Sequence, residues 1–287
     1  MPSNKTVSLL IPVFLFLLQA CTNGRERVVS VSILPQKYMV EKIAGDYLQV
    51  NVMVPPGMNP ATCDLNIEQL KKLHDSDLCF IIGHLPFETT HLLPVLESRR
   101  DIRVVNHSEG IPLLRGSCRH HTPEHHHGAD PHIWVSPTHA AKMAEDIYQA
   151  LADRYPDRRD TFRLRRDTLL QEINGIARKA QHALANRRGR TFLIYHPALT
   201  YFAEDYGLHQ LSIEDEGKEP DPTHLKTIID RARAQHIRLV FIQKQFDEQN
   251  ARSVAREIGG EVVPIDPLAE DWTAEMNRLI DILKEKL

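Results

Sequence analysis

From residue 28 to the C-terminus, short β-branched runs alternate with segments of helical period, which restricts the chain to α/β folds with mainly parallel sheets. Residues 28–34, 47–54, 77–82 and 103–106 read as strands, separated by helical readings at 36–44, 66–74 and, in part, 87–96. Residues 137–154 form a predicted helix. A second helix begins at Pro156, a favoured first-turn residue, with Asp157 and Asp160 where the helix dipole prefers acids, and ends before Gly189. Its Phe162, Leu169, Ile173, Ile176, Ala180 and Leu184 recur on one side. Some 30 residues at about 1.5 Å each would extend about 45 Å, which suits a stiff spine between two halves as readily as an ordinary surface helix. Beyond it the alternation resumes, with strands at 191–195, 208–213, 238–243 and 261–265 and helices at 198–205, 223–235, 248–258 and 272–286. The expected organisation is two α/β lobes, 28–154 and 189–287, joined by one long helix over 155–188.

Residues 1–20 read as an export signal rather than fold. Lys5 supplies a positive start, and the apolar run over 7–18 is shorter than the roughly 20 residues a membrane span needs. The run ends in Leu18-Gln19-Ala20-Cys21, which resembles a bacterial lipobox. Acylation of Cys21 would hold the mature chain to a membrane through a polar tether over 21–27, without a transmembrane helix. Plain secretion with an incidental cysteine is the other reading. Cys63, Cys79 and Cys118 remain, an odd count with no disulfide framework, and Cys79 reads as a buried small hydrophobe. A formal charge of −3 shows no basic excess and argues against a nucleic-acid partner. Histidine is heavily used, with 16 in the chain. His120, His121, His125, His126 and His127 sit in a loop over 119–128 with no apolar period. That loop is a candidate weak metal-binding segment, or else a solvated insertion.

In open α/β sheets, ligands sit beyond the carboxyl ends of the strands. The rule selects the segment 58–64, His84, His196 and Asp266, with His132 where the histidine loop leads into helix. Imidazole and carboxylate together suit zinc. Any one of these residues alone is more often a hydrogen-bonded structural residue, and the chain has no C-x-x-C or H-E-x-x-H spacing to add weight.

Several separated stretches, in order, resemble the zinc/manganese solute-binding lipoproteins of bacterial ABC importers, from about Val29 to the C-terminus. They are Val54-Pro55-Pro56-Gly57, the stretch Asp130-Pro131-His132-Ile133-Trp134-Val135-Ser136-Pro137, Tyr195-His196-Pro197-Ala198 with Tyr206-Gly207-Leu208, Glu219-Pro220, and Ile265-Asp266-Pro267-Leu268. The resemblance implies two lobes bridged by a rigid helix, a cation held between them, and delivery to the membrane permease of a metal ABC importer. It places the protein, as a monomer, on the periplasmic or extracellular face of a bacterial membrane. Carried over by motif, His132, His196 and Asp266 are the ligands, and His196 in place of a carboxylate favours Zn2+ over Mn2+. One departure stands out: where the family has Pro-His in its first metal loop, this chain has Pro60-Ala61. His84 is the preferred replacement ligand, with Cys63, Glu88, a loop histidine or water as alternatives. A zinc hydrolase, with Glu219 as its base, and a surface adhesin with a structural metal are the competing functions.

Overall fold

The computed structural model describes residues 27–115, 128–214 and 217–287. Cys21, Cys118, the signal segment and His120, His121, His125, His126 and His127 lie outside the described residues.

The chain forms two four-stranded, wholly parallel sheets. The first contains β1 (Val28–Val31), β2 (Gln49–Val52), β3 (Ser76–Ile81) and β4 (Arg103–Asn106), in the order β2-β1-β3-β4. The second contains β5 (Thr191–Ile194), β6 (His209–Ser212), β7 (Leu239–Gln243) and β8 (Glu261–Ile265), in the order β6-β5-β7-β8. Both orders are the same, and in each the direction of winding reverses beside the first strand. Crevices open at such reversals, outside the carboxyl ends of the strands.

Helices α1 (Leu34–Ala44), α2 (Ile67–His74) and α3 (Leu93–Glu97) belong to the first half, followed by α4 (Pro137–Arg154) and α5 (Arg159–Leu184). The second half adds α6 (Thr200–Tyr206), α7 (Pro222–Ala234), α8 (Gln249–Ile258) and α9 (Trp272–Lys286). The 26 residues of α5 rise about 39 Å, flanked by 3₁₀ turns at Pro156–Arg158 and Ala185–Arg187. The six apolar residues read from its sequence are its buried residues, and α5 packs on α1, α4 and α9, so it contacts both halves.

Three strand or helix readings shift. The first strand stops at Val31, because Pro35 suits the first turn of a helix and the Gln36 side chain accepts the Ile33 N–H at 3.1 Å. The second strand starts only at Gln49, since Gly45–Tyr47 form a 3₁₀ turn. Around Pro94, which has no N–H for the preceding turn, Glu88–Leu92 widens to a π turn before α3.

Burial also fixes a pH response. His107 is fully buried, stacked on Phe80 at 5.8 Å between ring centroids, with Nδ1 3.3 Å from Asp146. Burial, partly offset by Asp146, lowers its pKa below the histidine norm. The unfolded chain therefore takes the proton first. Stability from the neutral ring is present above about pH 6.5 and lost as pH falls from there towards the folded value. The urea midpoint is expected to drop between pH 7 and pH 5, and to drop less steeply in His107→Leu. Equal slopes for the two proteins would contradict this assignment.

Candidate metal centre

The carboxyl ends of β3, β5, β7 and β8 converge on one cleft between the halves, with a volume of about 480 Å³. His132, His196 and His84 all lie on its wall, together with Ala61 and Glu214. Asp266 sits at the rim, where its neighbours Pro267 and Leu268 line the cleft.

His132 and His196 meet across the two halves, their rings edge to face with centroids 5.1 Å apart. Each ring is oriented by a carboxylate behind it. Asp130 Oδ1 accepts both the His132 backbone N–H and, at 2.8 Å, its Nδ1. Burial works against the Asp130 charge, but His132 and neighbouring donors outweigh it and hold its pKa below the carboxylate norm. The buried Glu214 takes His196 Nδ1 at 2.7 Å. A carboxylate on Nδ1 places the ring proton there and leaves Nε2 as a lone-pair donor, the arrangement that metal-binding histidines use. Gln243 fixes the His196 backbone from both sides, accepting its N–H at 3.3 Å and donating to its carbonyl at 2.5 Å. Phe246 stacks on the His196 ring at 5.3 Å between centroids.

The other expected residues behave differently. The Asp266 carboxylate is already engaged by Lys244 at 3.2 Å, Gln245 at 3.4 Å and the Leu268 N–H at 3.2 Å. His84 is exposed, in a turn that follows β3. That turn is held by Glu88, whose buried carboxylate accepts N–H groups of Ile82 and Gly83 at 2.6 Å and of Leu85 at 3.3 Å. Gly83 has φ +109°, and a Cβ there would lie 2.3 Å from Asn106 Oδ1, so only glycine fits. Glu88 is thus an internal brace rather than a ligand. Cys63 is also withdrawn: it is buried, and desolvation raises its thiol pKa. Among the described residues, no three His, Cys, Asp or Glu side chains form a ready metal cage.

The floor of the cleft is tied across the halves. Trp134 Nε1 donates to the Pro267 carbonyl at 2.8 Å, and Trp272 Nε1 donates to the Trp134 carbonyl at 2.8 Å. The Tyr201 hydroxyl donates to the Asp130 carbonyl at 2.9 Å, and Ser136 to Asp205 at 2.6 Å. Sequence reading alone did not find Glu214, Gln243 or Phe246. The strand-end rule reaches all three, since Glu214 lies just past β6 and Gln243 and Phe246 lie at and just past the end of β7; what it does not give is that Glu214 meets a ring 18 residues away.

The family described as zinc-uptake complex component A, periplasmic, matches residues 29–287. The crystal structure of ZnuA superposes with a TM-score of 0.82 at 33% identity, covering 91% of this chain and 99% of that one. The zinc-binding lipoprotein AdcA of Streptococcus pneumoniae is 25% identical over 99% of this chain and 60% of its own length. A putative metal-binding protein of Chlamydia muridarum is 28% identical over 86% of each chain. The chain thus spans 60% of the length of the Streptococcus pneumoniae relatives and 52% of the Streptococcus pyogenes ones. Ordered motifs, a matching two-sheet fold and a match from residue 29 to the end agree: the chain belongs to the ZnuA family of periplasmic metal-uptake proteins.

Proposed function

We propose that this protein captures a divalent transition metal outside the cytoplasm, with zinc the cargo, and hands it to the membrane permease of an ABC importer. Proteins of its family bind a solute and are not enzymes. The observation that carries the reading is the facing pair of imidazoles, His132 and His196, each with Nδ1 committed to a carboxylate. Two nitrogen donors favour zinc over manganese, which prefers oxygen. Asp266 and His84 are the chain's own candidates for the remaining positions. In this reading residues 28–154 and 189–287 act as the two lobes about the helix over 155–188, and the protein works as a monomer. Acylation at Cys21 supplies the anchor; no helix of the described residues is long and apolar enough to cross a membrane. The hydrolase alternative loses its base, since Glu219 is exposed and does not line the cleft.

The test is metal content after reloading the apoprotein from an equimolar zinc and manganese mixture. One tightly held zinc per chain is expected, with weaker zinc on the histidine loop. Tight binding of manganese in preference to zinc would reject the cargo, and no tight metal at all would reject the function.

A further inference from the structure

We propose that the Tyr201 hydroxyl is the positioning group that sets the separation of the two imidazoles, tying the segment that carries His196 to the segment that carries His132. The proposal rests on the reading of His132 and His196 as ligands and deepens it. The two rings come from different halves, so their spacing belongs to neither half alone. His196 and Tyr201 share one short, braced stretch. The Ala198 N–H donates back to the His196 carbonyl at 2.7 Å, the Ala203 N–H donates to the Leu199 carbonyl at 2.8 Å, and α6 begins at Thr200. On the other side, His132 is held by Asp130, whose Oδ1 accepts both its N–H and its Nδ1 at 2.8 Å. The Tyr201 hydroxyl donates to the carbonyl of that same Asp130 at 2.9 Å.

The oxygen is used twice. It also accepts the Leu114 N–H at 3.1 Å, while the Asp130 N–H donates to the Leu114 carbonyl at 2.8 Å. Beside them Arg115 and Ala129 pair as an antiparallel bridge. Two passes of the first half therefore close on a single oxygen of the second. Tyr201 is 1% exposed and Asp130 4%, so water does not replace the bond between them, and losing the hydroxyl strands a buried carbonyl. The remaining ties at the cleft floor, from Trp134 to Pro267 and from Trp272 to Trp134, lead to the loop after β8 and not to the His196 segment. Zinc–nitrogen bonds span only about 2.0–2.1 Å, so a small slip between the halves spoils one of the two bonds.

The test is Tyr201→Phe in the full chain, which keeps the ring and its edge-to-face contact with His139 and removes only the oxygen. Zinc affinity is read by calorimetry, release by chelator chase, and ligand geometry by the visible absorption of cobalt(II) loaded in place of zinc. Affinity is expected to fall about tenfold, the low end of the range for groups behind a ligand, mostly through faster release, with an altered cobalt spectrum. Phe162→Leu is the control for stability alone, because Phe162 is buried on α5 and does not line the cleft. It should lower the melting temperature at least as much and leave the zinc and cobalt readings unchanged. Wild-type affinity and cobalt spectrum in Tyr201→Phe would overturn the proposal, and so would an equal loss of affinity in Phe162→Leu. The double variant His132→Ala/His196→Ala, checked for fold by circular dichroism, separates the two levels. If it keeps tight zinc, the metal-site reading itself has failed; if it loses zinc while Tyr201→Phe holds zinc like the wild type, only the positioning role has.

Discussion

His196→Ala is expected to lower the tight-site zinc affinity by more than about 100-fold, since changes merely behind a ligand cost 10–100-fold and this one removes the ligand. His132→Ala should do the same. The ranking matters as much as the size. Glu214→Gln keeps the His196 ring but weakens the charge behind it, and its loss should fall within about 10–100-fold. Asp266→Ala and His84→Ala should cost less than either imidazole, because Asp266 must first give up Lys244 to ligate and His84 starts from an exposed turn. Calorimetry gives the affinities, and the emission of Trp134, whose ring lies 5.1 Å from that of His132, gives an independent signal. A weaker effect for His196 than for Asp266 would move the metal from the imidazole pair to the β8 rim.

The parts of this molecule legible in its sequence are those whose signals are local. The bounds of α4 at Pro137 and Arg154 follow from a cap, a proline and an apolar stripe, and the six buried residues of α5 follow from their spacing. The strand-end rule found His84, His132, His196 and Asp266 because chain order and parallel winding decide which loops share a crevice. What sequence could not supply was side-chain direction. Cys63 and Glu88 lie in the right segments, yet one points into the core and the other turns back to hold the backbone of 82–85. Glu214 escaped for the opposite reason: it reaches His196 only after β5 and β6 pair in register, with Ile194 beside Ser212. Which residues reach a cleft is thus easier to read than which residues aim them.

Ala61→His should place an imidazole where the resembling family has one in its first metal loop. Ala61 is exposed on the cleft wall, and its N–H is anchored by Asn59 Oδ1 at 2.8 Å, so a longer side chain enters open space from a fixed backbone. A third imidazole should tighten bare zinc by about 100-fold, the inverse of losing a ligand. Most of that change should appear as slower release, because affinity differences within one site lie mainly in the dissociation rate. One consequence follows. Cells depending on the variant should also import zinc more slowly under limitation despite its tighter capture, because delivery requires release. Stopped-flow chelator chase measures the first quantity and growth in zinc-depleted medium the second. An unchanged dissociation constant in Ala61→His would mean that His84 or Asp266 already completes the shell, and that Lys244 gives way when the metal arrives.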